Sequence, residues 1–203
     1  DEQMVNAIIN ELGIYQRSPI ISYLGSLGPQ YGINEMLVFF QSLKQKYPLA
    51  KFIFFTKDNK SLVLNLLKDY PGISEDDLFF LFVERSKIPV YLSFSDFSIF
   101  FYYPSYSRLA CSPTKFAELL GMNIPVICNH IGNLTKSFVP VPPHIILDSL
   151  SMRNLEDAAD RFKLKDKTEV KGMRDFALQN FSLDKGVGAY YKIYNILVSR
   201  SCQ

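Results

Sequence analysis

The sequence has 203 residues, of which 48% are hydrophobic and 21% are charged. This composition excludes a disordered chain and suits one well-cored domain, which at this length buries about 70% of its unfolded surface. The formal net charge is only +2 and basic residues do not cluster, so we expect no nucleic-acid partner.

The first predicted elements are a helix over residues 1–12, which has apolar residues at helical spacing, and six strands that follow it. Residues 1–18 thus form a lead-in helix and linker. The strands are predicted at 20–24, 51–56, 78–83, 97–101, 124–128 and 144–147. They alternate with helical segments, and several are continuous apolar runs, so helices should cover both faces. The pattern predicts one α/β domain over 1–203, Rossmann-like and doubly wound, with a mainly parallel six-stranded sheet.

Three further helices are predicted from a 3.6-residue apolar period. Two lie between strands, at 33–47 and 61–69. The third is a long terminal helix over 182–200 with Ser182 as its N-cap. We expect this terminal helix to pack partly outside the core of the domain.

A glycine-containing turn follows the first predicted strand, at the edge of the sheet where ligands bind in open parallel sheets. Gly25 and Gly28 would allow backbone amides to approach a phosphate, next to the start of a helix at Ile33. The spacing fits neither a dinucleotide fingerprint nor a P-loop. A purely structural turn explains it equally well.

The segment after the fourth predicted strand carries a stronger pattern. Ser112 is a favoured N-cap and Pro113 suits the first helical position, so 112–121 should form a short helix at the carboxyl edge. Lys115 in the first turn opposes the helix dipole, which favours a nearby phosphate; a solvated lysine at a frayed end is the alternative. Glu118 either accepts hydrogen bonds from a ribose diol or faces solvent.

These segments resemble the C-terminal domain of family 4 (group 1) retaining glycosyltransferases of the GT-B fold, over nearly the whole chain. The most specific part is 112–127, which is similar to the family's glutamate-containing donor helix and the small-x-Pro-Val strand after it. The first strand with its turn and the segment 83–96 also match. The segment from Phe181 onward resembles the family's closing helix, which crosses back onto an N-terminal domain.

The resemblance implies a hexosyltransferase-like, retaining enzyme of polysaccharide biosynthesis. Its donor would be a nucleoside diphosphate sugar and its acceptor a glycan or lipid. No metal or other cofactor is expected, because helix dipoles and basic side chains stabilise the leaving diphosphate in this family. Acceptor contacts would belong to an N-terminal domain absent from residues 1–203, so we expect this chain alone to bind donor without transferring sugar.

The resemblance also implies which residues bind the donor, while it assigns no catalytic residue. The first turn and the start of the donor helix would line the pyrophosphate, Glu118 would hold the ribose, and the backbone after the third strand would meet the base. The expected donor-binding residues are Gly25, Ser26, Leu27, Gly28, Val83, Glu84, Arg85, Arg108, Ser112, Pro113, Thr114, Lys115 and Glu118.

The family's pattern is incomplete in this sequence. The first of its two glutamates falls at Ala110, and its first-turn Arg and Lys fall at Ser26 and Tyr31. The candidates to replace those cations are Lys115, Arg108 and Arg85. Two alternatives therefore stay open: a non-catalytic nucleotide-sugar-binding module, and a GT-B-fold nucleotide-sugar epimerase, for which the two histidines offer little acid–base chemistry.

Cysteine usage and hydropathy bear on location. Cys111, Cys128 and Cys202 form no CxxC pair and are odd in number, which is typical of a reduced compartment. No apolar run approaches the roughly 20 residues of a membrane span, and no segment resembles a signal peptide. We expect a cytoplasmic protein, with peripheral contact at the inner membrane face left open.

Overall fold

The computed structural model describes residues 7–10, 13–14, 18–132, 134, 144–164, 170 and 172–201. In this part of the chain six strands form one sheet, in the order β3-β2-β1-β4-β5-β6. They are β1 (Ile20–Leu24), β2 (Lys51–Phe55), β3 (Leu78–Leu81), β4 (Phe97–Phe100), β5 (Val126–Asn129) and β6 (Ile145–Leu147). Every pairing is parallel, which confirms the predicted fold class.

Helices connect the strands and extend beyond them. They are α1 (Ile33–Lys46), α2 (Ser61–Leu64), α3 (Ile88–Leu92), α4 (Thr114–Gly121), α5 (Met152–Arg161), α6 (Met173–Phe181) and α7 (Leu183–Ser201). Residues 7–10 are helical too, and the rest of the helix predicted over 1–12 lies outside the described residues. Short 3-10 helices occur at Leu67–Asp69, Glu75–Asp77 and Tyr106–Ala110.

The sheet is covered on both faces. Successive residues of a strand point to opposite faces, yet in β2 all four residues from Phe52 to Phe55 are buried, and in β1 the same holds from Ile20 to Tyr23. On the covering layers, α1 packs against α5 and α4 packs against α6. Much of the core consists of aromatic rings, including the stacked pair Phe54 and Phe80, whose centroids are 5.0 Å apart.

The strand order places a topological switch point between β1 and β4. The chain leaves β1 to build β2 and β3 on one side and returns to build β4 to β6 on the other. Two buried serines help to join the central pair, since the Ser98 hydroxyl donates to the Ser22 carbonyl at 3.0 Å. The crevice outside the carboxyl ends of β1 and β4 is where ligands bind in folds of this kind.

Most predicted strands differ from the structure by one or two residues at one end or both, and two predicted helices differ in ways that have a physical reason. The predicted helix over 61–69 is interrupted, because Leu66 bonds to the carbonyl of Val63 rather than one residue further back, and a 3-10 turn follows. The terminal helix α7 begins at Leu183, directly after Ser182, which agrees with the prediction of Ser182 as its N-cap; the Ser182 carbonyl accepts from the amide of Gly186. Helix α4 starts at Thr114, later than predicted. Among the described helices, none is long and apolar enough to cross a membrane.

Candidate functional site

The loop between β1 and α1 is held in place by two side chains. The Tyr23 hydroxyl donates to the Ser26 carbonyl at 2.5 Å, and burial raises the pKa of Tyr23, so the phenol remains a neutral donor. The amide of Leu27 donates to a carboxylate oxygen of Asp58 at 2.5 Å. Gly25 adopts φ of 148°, a backbone conformation that glycine favours. The loop therefore has a defined shape at the carboxyl end of β1.

Helix α4 begins one residue later than predicted. Ser112 was expected as the N-cap and Pro113 as the first helical residue, and this is wrong. Pro113 has an extended ψ of 116°, so it is itself the cap residue and helical geometry starts at Thr114. The proline ring fixes φ but supplies no capping oxygen, and no side chain caps the helix. The helix still starts at the carboxyl edge of the sheet, as the sequence predicts.

The ammonium group of Lys115 lies inside a set of four aromatic rings, here called the lysine cage. Its Nζ is 5.0 to 5.4 Å from the ring centroids of Tyr23, Tyr31, Phe100 and Tyr102. A Cβ placed on Gly25 would lie 2.9 Å from the same nitrogen. The alternative of a solvated lysine at a frayed helix end is therefore wrong: Lys115 reaches from α4 to the β1–α1 loop.

The lysine cage changes the chemistry of Lys115. Burial, with a smaller contribution from the positive charge of Arg108, lowers the pKa of Lys115 to about 8. Cation–π contacts stabilise the charged form, although neutral rings cannot supply a counter-charge. Within the described part of the chain Lys115 makes no ion pair. The loop is thus flanked by a cation that has no carboxylate partner there.

The ring of Tyr102 lies close to a second cation, Arg108, as well as to Lys115. The Arg108 guanidinium carbon is 4.6 Å from the centroid of the Tyr102 ring. The backbone of Tyr102 is fixed by the buried side-chain amide of Asn129, which accepts from its N–H and donates to its carbonyl, both at 3.0 Å. On its other side, Arg108 borders a separate pocket of about 440 Å³ together with Ser105 and His130.

Two adjoining pockets, together called the strand-end cleft, run along the carboxyl edge from β1 to β3. The smaller pocket, of about 290 Å³, is lined by Gly25, Ser26 and Asp58 among others. The larger pocket, of about 700 Å³, is lined by Val83, Glu84, Arg85 and Glu118 among others. The two pockets share Leu24, Lys57, Phe82, Val83 and Ile88. Such a cleft is large enough for a small-molecule ligand.

Glu118 and Arg85 both line the larger pocket and form an ion pair there. Their charged groups are 3.7 Å apart, and the side chains are 50% and 94% exposed respectively. An ion pair this exposed contributes little to stability. Both side chains are therefore available to a ligand, and the carboxylate of Glu118 could still accept hydrogen bonds from hydroxyl groups.

The predicted donor-binding residues do not all meet at one place. The residues that line the strand-end cleft are Gly25, Ser26, Val83, Glu84, Arg85 and Glu118. The ammonium of Lys115 lies next to Gly25, which lines the cleft. Leu27 is buried and Gly28 is half-buried. Ser112 and Thr114 are exposed, Pro113 is buried, and Arg108 lies toward the other pocket.

Sequence reasoning missed several residues of the cleft. Lys57 and Asp58 follow β2, and Phe82 follows β3; the Lys57 ammonium is 5.5 Å from the Phe82 ring, which is 71% exposed. Each of them comes within three residues of the carboxyl end of its strand. Applying the strand-end rule to every strand, rather than to the first and fourth, would have found them. Among the described residues, no group of three or more His, Cys, Asp or Glu could hold a metal ion.

The sheet order and the switch point define a Rossmann-like α/β domain. No protein-family model matches the sequence, and no curated protein sequence does. Solved structures do match. A glycosyltransferase from Rickettsia africae has a TM-score of 0.75 at 14% identity, with 98% of this chain and 52% of that chain covered.

Two further structures show the same fold. HepE from Anabaena, in complex with UDP-glucose, has a TM-score of 0.70 at 14% identity. The match covers 98% of this chain and 53% of the HepE chain. Sucrose-phosphate synthase from Thermosynechococcus elongatus has a TM-score of 0.72 at 16% identity, with 96% and 49% covered. The chain thus spans about half the length of these proteins. Its fold agrees with the expected C-terminal half of GT-B.

Proposed function

We propose that this chain is the donor-binding domain of a glycosyltransferase and that it binds a nucleoside diphosphate sugar in the strand-end cleft. The observation that carries this proposal is the position of Lys115. Its ammonium group is held in the lysine cage beside Gly25, with no ion pair in the described part of the chain. A partly desolvated cation without a counter-ion is unfavourable, and a diphosphate beside the loop would supply one.

The diphosphate would lie between the loop and the start of α4. The N-terminus of α4 adds the positive end of a helix dipole to the charge of Lys115. In this sequence Tyr31 stands at the position of the family's first-turn Lys. The ammonium of Lys115 is 5.4 Å from the centroid of the Tyr31 ring, so Lys115 takes the role of that lysine. A cation from a different element therefore occupies the neighbourhood of the missing one.

The nucleoside would occupy the larger pocket. Glu118 offers a half-exposed carboxylate for the ribose diol, and Val83 and Glu84 follow β3 at the level expected for the base. The exposed ring of Phe82 offers a surface for stacking. Support comes from structures of the same fold: that of HepE is a complex with UDP-glucose, and that of the pneumococcal O-GlcNAc transferase GtfA is a complex with UDP and GlcNAc.

Transfer of the sugar would need a second domain that closes the site and holds the acceptor. We infer that the acceptor, a glycan or lipid, is held by an N-terminal domain, and that the isolated chain binds donor but does not transfer the sugar. Catalysis requires both substrates in near-attack geometry within a closed cleft. Stabilisation of the leaving diphosphate would come from Lys115 and the α4 dipole without a metal ion. Retention of configuration, hexose as the sugar and a cytoplasmic location remain part of this proposal.

A thermal-shift panel tests donor binding. UDP, GDP, ADP and their sugars are added to the chain, with the free nucleosides as weaker-binding controls. Ligand at about 100 times its dissociation constant should stabilise the fold by roughly 2.7 kcal/mol, and each kcal/mol moves the midpoint by about 2–4 °C at this length. Lys115→Met should reduce the shift with diphosphates and leave the nucleoside response unchanged. No shift with any nucleotide at millimolar concentration would refute donor binding.

A non-catalytic binding module is the second candidate. The observation that favours it is Ala110, which stands exposed where the family has its first glutamate. The two candidates differ in turnover once the chain is joined to an acceptor-binding domain. Acceptor-dependent release of free nucleotide supports the transferase, whereas tight donor binding without any turnover supports the module.

A further inference from the structure

The carboxylate of Asp58 occupies part of the surface that a diphosphate would use. It accepts the amide proton of Leu27 at 2.5 Å, and it lines the smaller pocket of the strand-end cleft with Gly25 and Ser26. A backbone amide in a loop beside a helix start is a group that commonly binds phosphate oxygens. Here a fixed negative charge already holds that amide.

The position of Asp58 is well defined by its surroundings. Its own amide donates to the hydroxyl of Thr56 at 3.1 Å, which fixes the turn after β2. Asp58 also lies close enough to Tyr23 for its charge to contribute to the raised pKa of that phenol, after the larger effects of burial and of two neighbouring tyrosines. Within the described residues Asp58 makes no ion pair, so its charge is not neutralised locally.

We propose that Asp58 is a specificity determinant that lowers the affinity of the cleft for a free nucleoside diphosphate relative to a nucleotide sugar. The inference rests on the proposed function. Gly25 and Leu27 are two residues apart, a separation that spans at most about 7 Å. A diphosphate beside Gly25 therefore lies within about 7 Å of the amide of Leu27, to which the Asp58 carboxylate is hydrogen-bonded. The terminal phosphate of a free diphosphate, with a second pKa of about 6, carries about one more negative charge at neutral pH than the sugar-esterified form.

Repulsion from Asp58 therefore acts more strongly on the product of transfer than on the donor. At such a distance near a protein surface, and with the screening of physiological salt, one added charge changes affinity by roughly three- to tenfold. The physical consequence is faster release of the nucleoside diphosphate and weaker product inhibition. Lys115 attracts both ligands, and Asp58 sets the difference between them.

Asp58→Asn is the decisive variant, because the asparagine side-chain oxygen can still accept from Leu27 while the charge is lost. Binding of UDP, UDP-glucose and uridine is measured by titration calorimetry, or of the corresponding guanosine or adenosine set if the thermal-shift panel favours that base. We expect the affinity for the free diphosphate to rise by roughly three- to tenfold more than that for the nucleotide sugar. Uridine binding should not change, and the difference should shrink at high salt.

Asp76→Asn is the matched control. It removes the same charge from an exposed residue in the 3-10 helix that precedes β3, at the opposite edge of the sheet. It should change neither affinity. Thermal melting checks that each variant folds, and Asp58→Ser, which also keeps an acceptor oxygen, replaces the asparagine variant if that one does not.

The outcomes separate this inference from the proposed function. A wild-type chain that binds neither ligand overturns the proposed function and the role of Asp58 together. If the wild type binds both ligands but Asp58→Asn leaves their affinity ratio unchanged, or weakens both, the role of Asp58 alone is wrong. The carboxylate would then serve only to hold the loop.

Discussion

Lys115 is surrounded by aromatic rings, and burial followed by the charge of Arg108 lowers its pKa to about 8. Its charged fraction therefore falls as the pH rises through about 8, whereas a nucleoside diphosphate, with its second pKa of about 6, is already fully ionised there. We expect UDP affinity to decrease from about pH 7.5 to pH 9.5, and binding to be accompanied by proton uptake near pH 8. Calorimetry in two buffers of different ionisation enthalpy measures both effects.

Lys115→Met is the control for this pH dependence, because methionine retains an apolar side chain of similar length without a titratable group. In this variant the diphosphate should bind more weakly at pH 7.5, and the decrease above pH 8 should disappear. A wild-type affinity that stays constant over this range would mean that Lys115 does not meet the phosphates.

A second charged residue, Asp77, should govern stability rather than binding. Its carboxylate bonds to Lys44 at 2.6 Å and to Lys51 at 3.3 Å, so it ties α1 and β2 to the turn before β3. Burial by itself would raise the pKa of Asp77, but hydrogen bonds from Lys44 and Ser74 outweigh it and lower the pKa. A lowered folded-state pKa contributes stability that is present above the unfolded value of about 4 and is lost in more acidic solution.

Asp77→Asn should therefore destabilise the fold by about 2–3 kcal/mol at pH 7, since it leaves a partly buried lysine without its partner. The difference from wild type should diminish as the pH falls below about 4, where Asp77 is protonated first in the unfolded wild type and, at still lower pH, in the folded wild type. Urea denaturation at both pH values measures it. Asp76→Asn, its exposed neighbour, should be neutral, and an equal loss in both variants would exclude the ion pair as the cause.

The sequence predicts some of these residues and not others, for a physical reason. Lys115 and Glu118 stand out because they belong to a helix start with local capping signals. The lysine cage could not be predicted, because Tyr23 and Tyr102 come from the ends of different strands and meet only once β1 and β4 pair. The position of Asp58 after β2 is visible in the sequence, but its hydrogen bond to Leu27 could not be predicted, since Leu27 belongs to another loop.

At the scale of elements, the segment leading into α4 packs directly on the loop after β5. Gly132 adopts φ of 51°, and a Cβ placed there would lie 1.8 Å from the carbonyl oxygen of Cys111. Gly132→Ala should therefore force the two segments apart and cost at least about 2 kcal/mol, from the clash and from positive φ. Because Cys111 precedes α4, the affinity for diphosphates should fall as well. Urea denaturation and calorimetry test the two effects.

Gly186→Ala is the matched control in α7. Among the described residues, and apart from its chain neighbours and the nearby backbone of α7 itself, no atom lies within 4 Å of a Cβ built at this position. A helix-interior alanine is favoured over glycine by about 0.5–1 kcal/mol. The variant should be at least as stable as wild type and bind nucleotide unchanged. If Gly132→Ala behaved in the same way, the close approach to Cys111 would not matter for the fold.

All six strands could be predicted, each to within two residues at either end, because buried parallel strands are short apolar runs bounded by polar residues. Helices were harder. The helix predicted over 61–69 breaks after Leu64, and neither α5 nor α6 was predicted. Their apolar positions are few, and their packing against α1 and α4 depends on contacts distant in sequence.

At the scale of the whole molecule, α7 presents an apolar surface that the described part of this chain does not cover. Large apolar side chains that are more than half exposed occur along its length: Leu183, Val187, Tyr190, Tyr191, Ile193, Tyr194, Ile196, Leu197 and Val198. A contiguous surface of this kind marks an interaction site. It fits the proposal that a further domain completes the enzyme, with α7 packing against that domain.

The double variant Tyr191→Ser/Val198→Ser tests whether α7 serves the fold of this domain. These side chains are 67% and 64% exposed, so their loss should change the unfolding free energy by less than about 0.5 kcal/mol. Nucleotide binding should be retained, because neither side chain lines the strand-end cleft. Leu37→Ala, in the buried face of α1 with 0% exposure, is the contrasting variant and should cost about 2–5 kcal/mol. A loss above about 1 kcal/mol in the double variant would show that α7 packs against this domain itself, and the apolar surface would then give no support to a second domain.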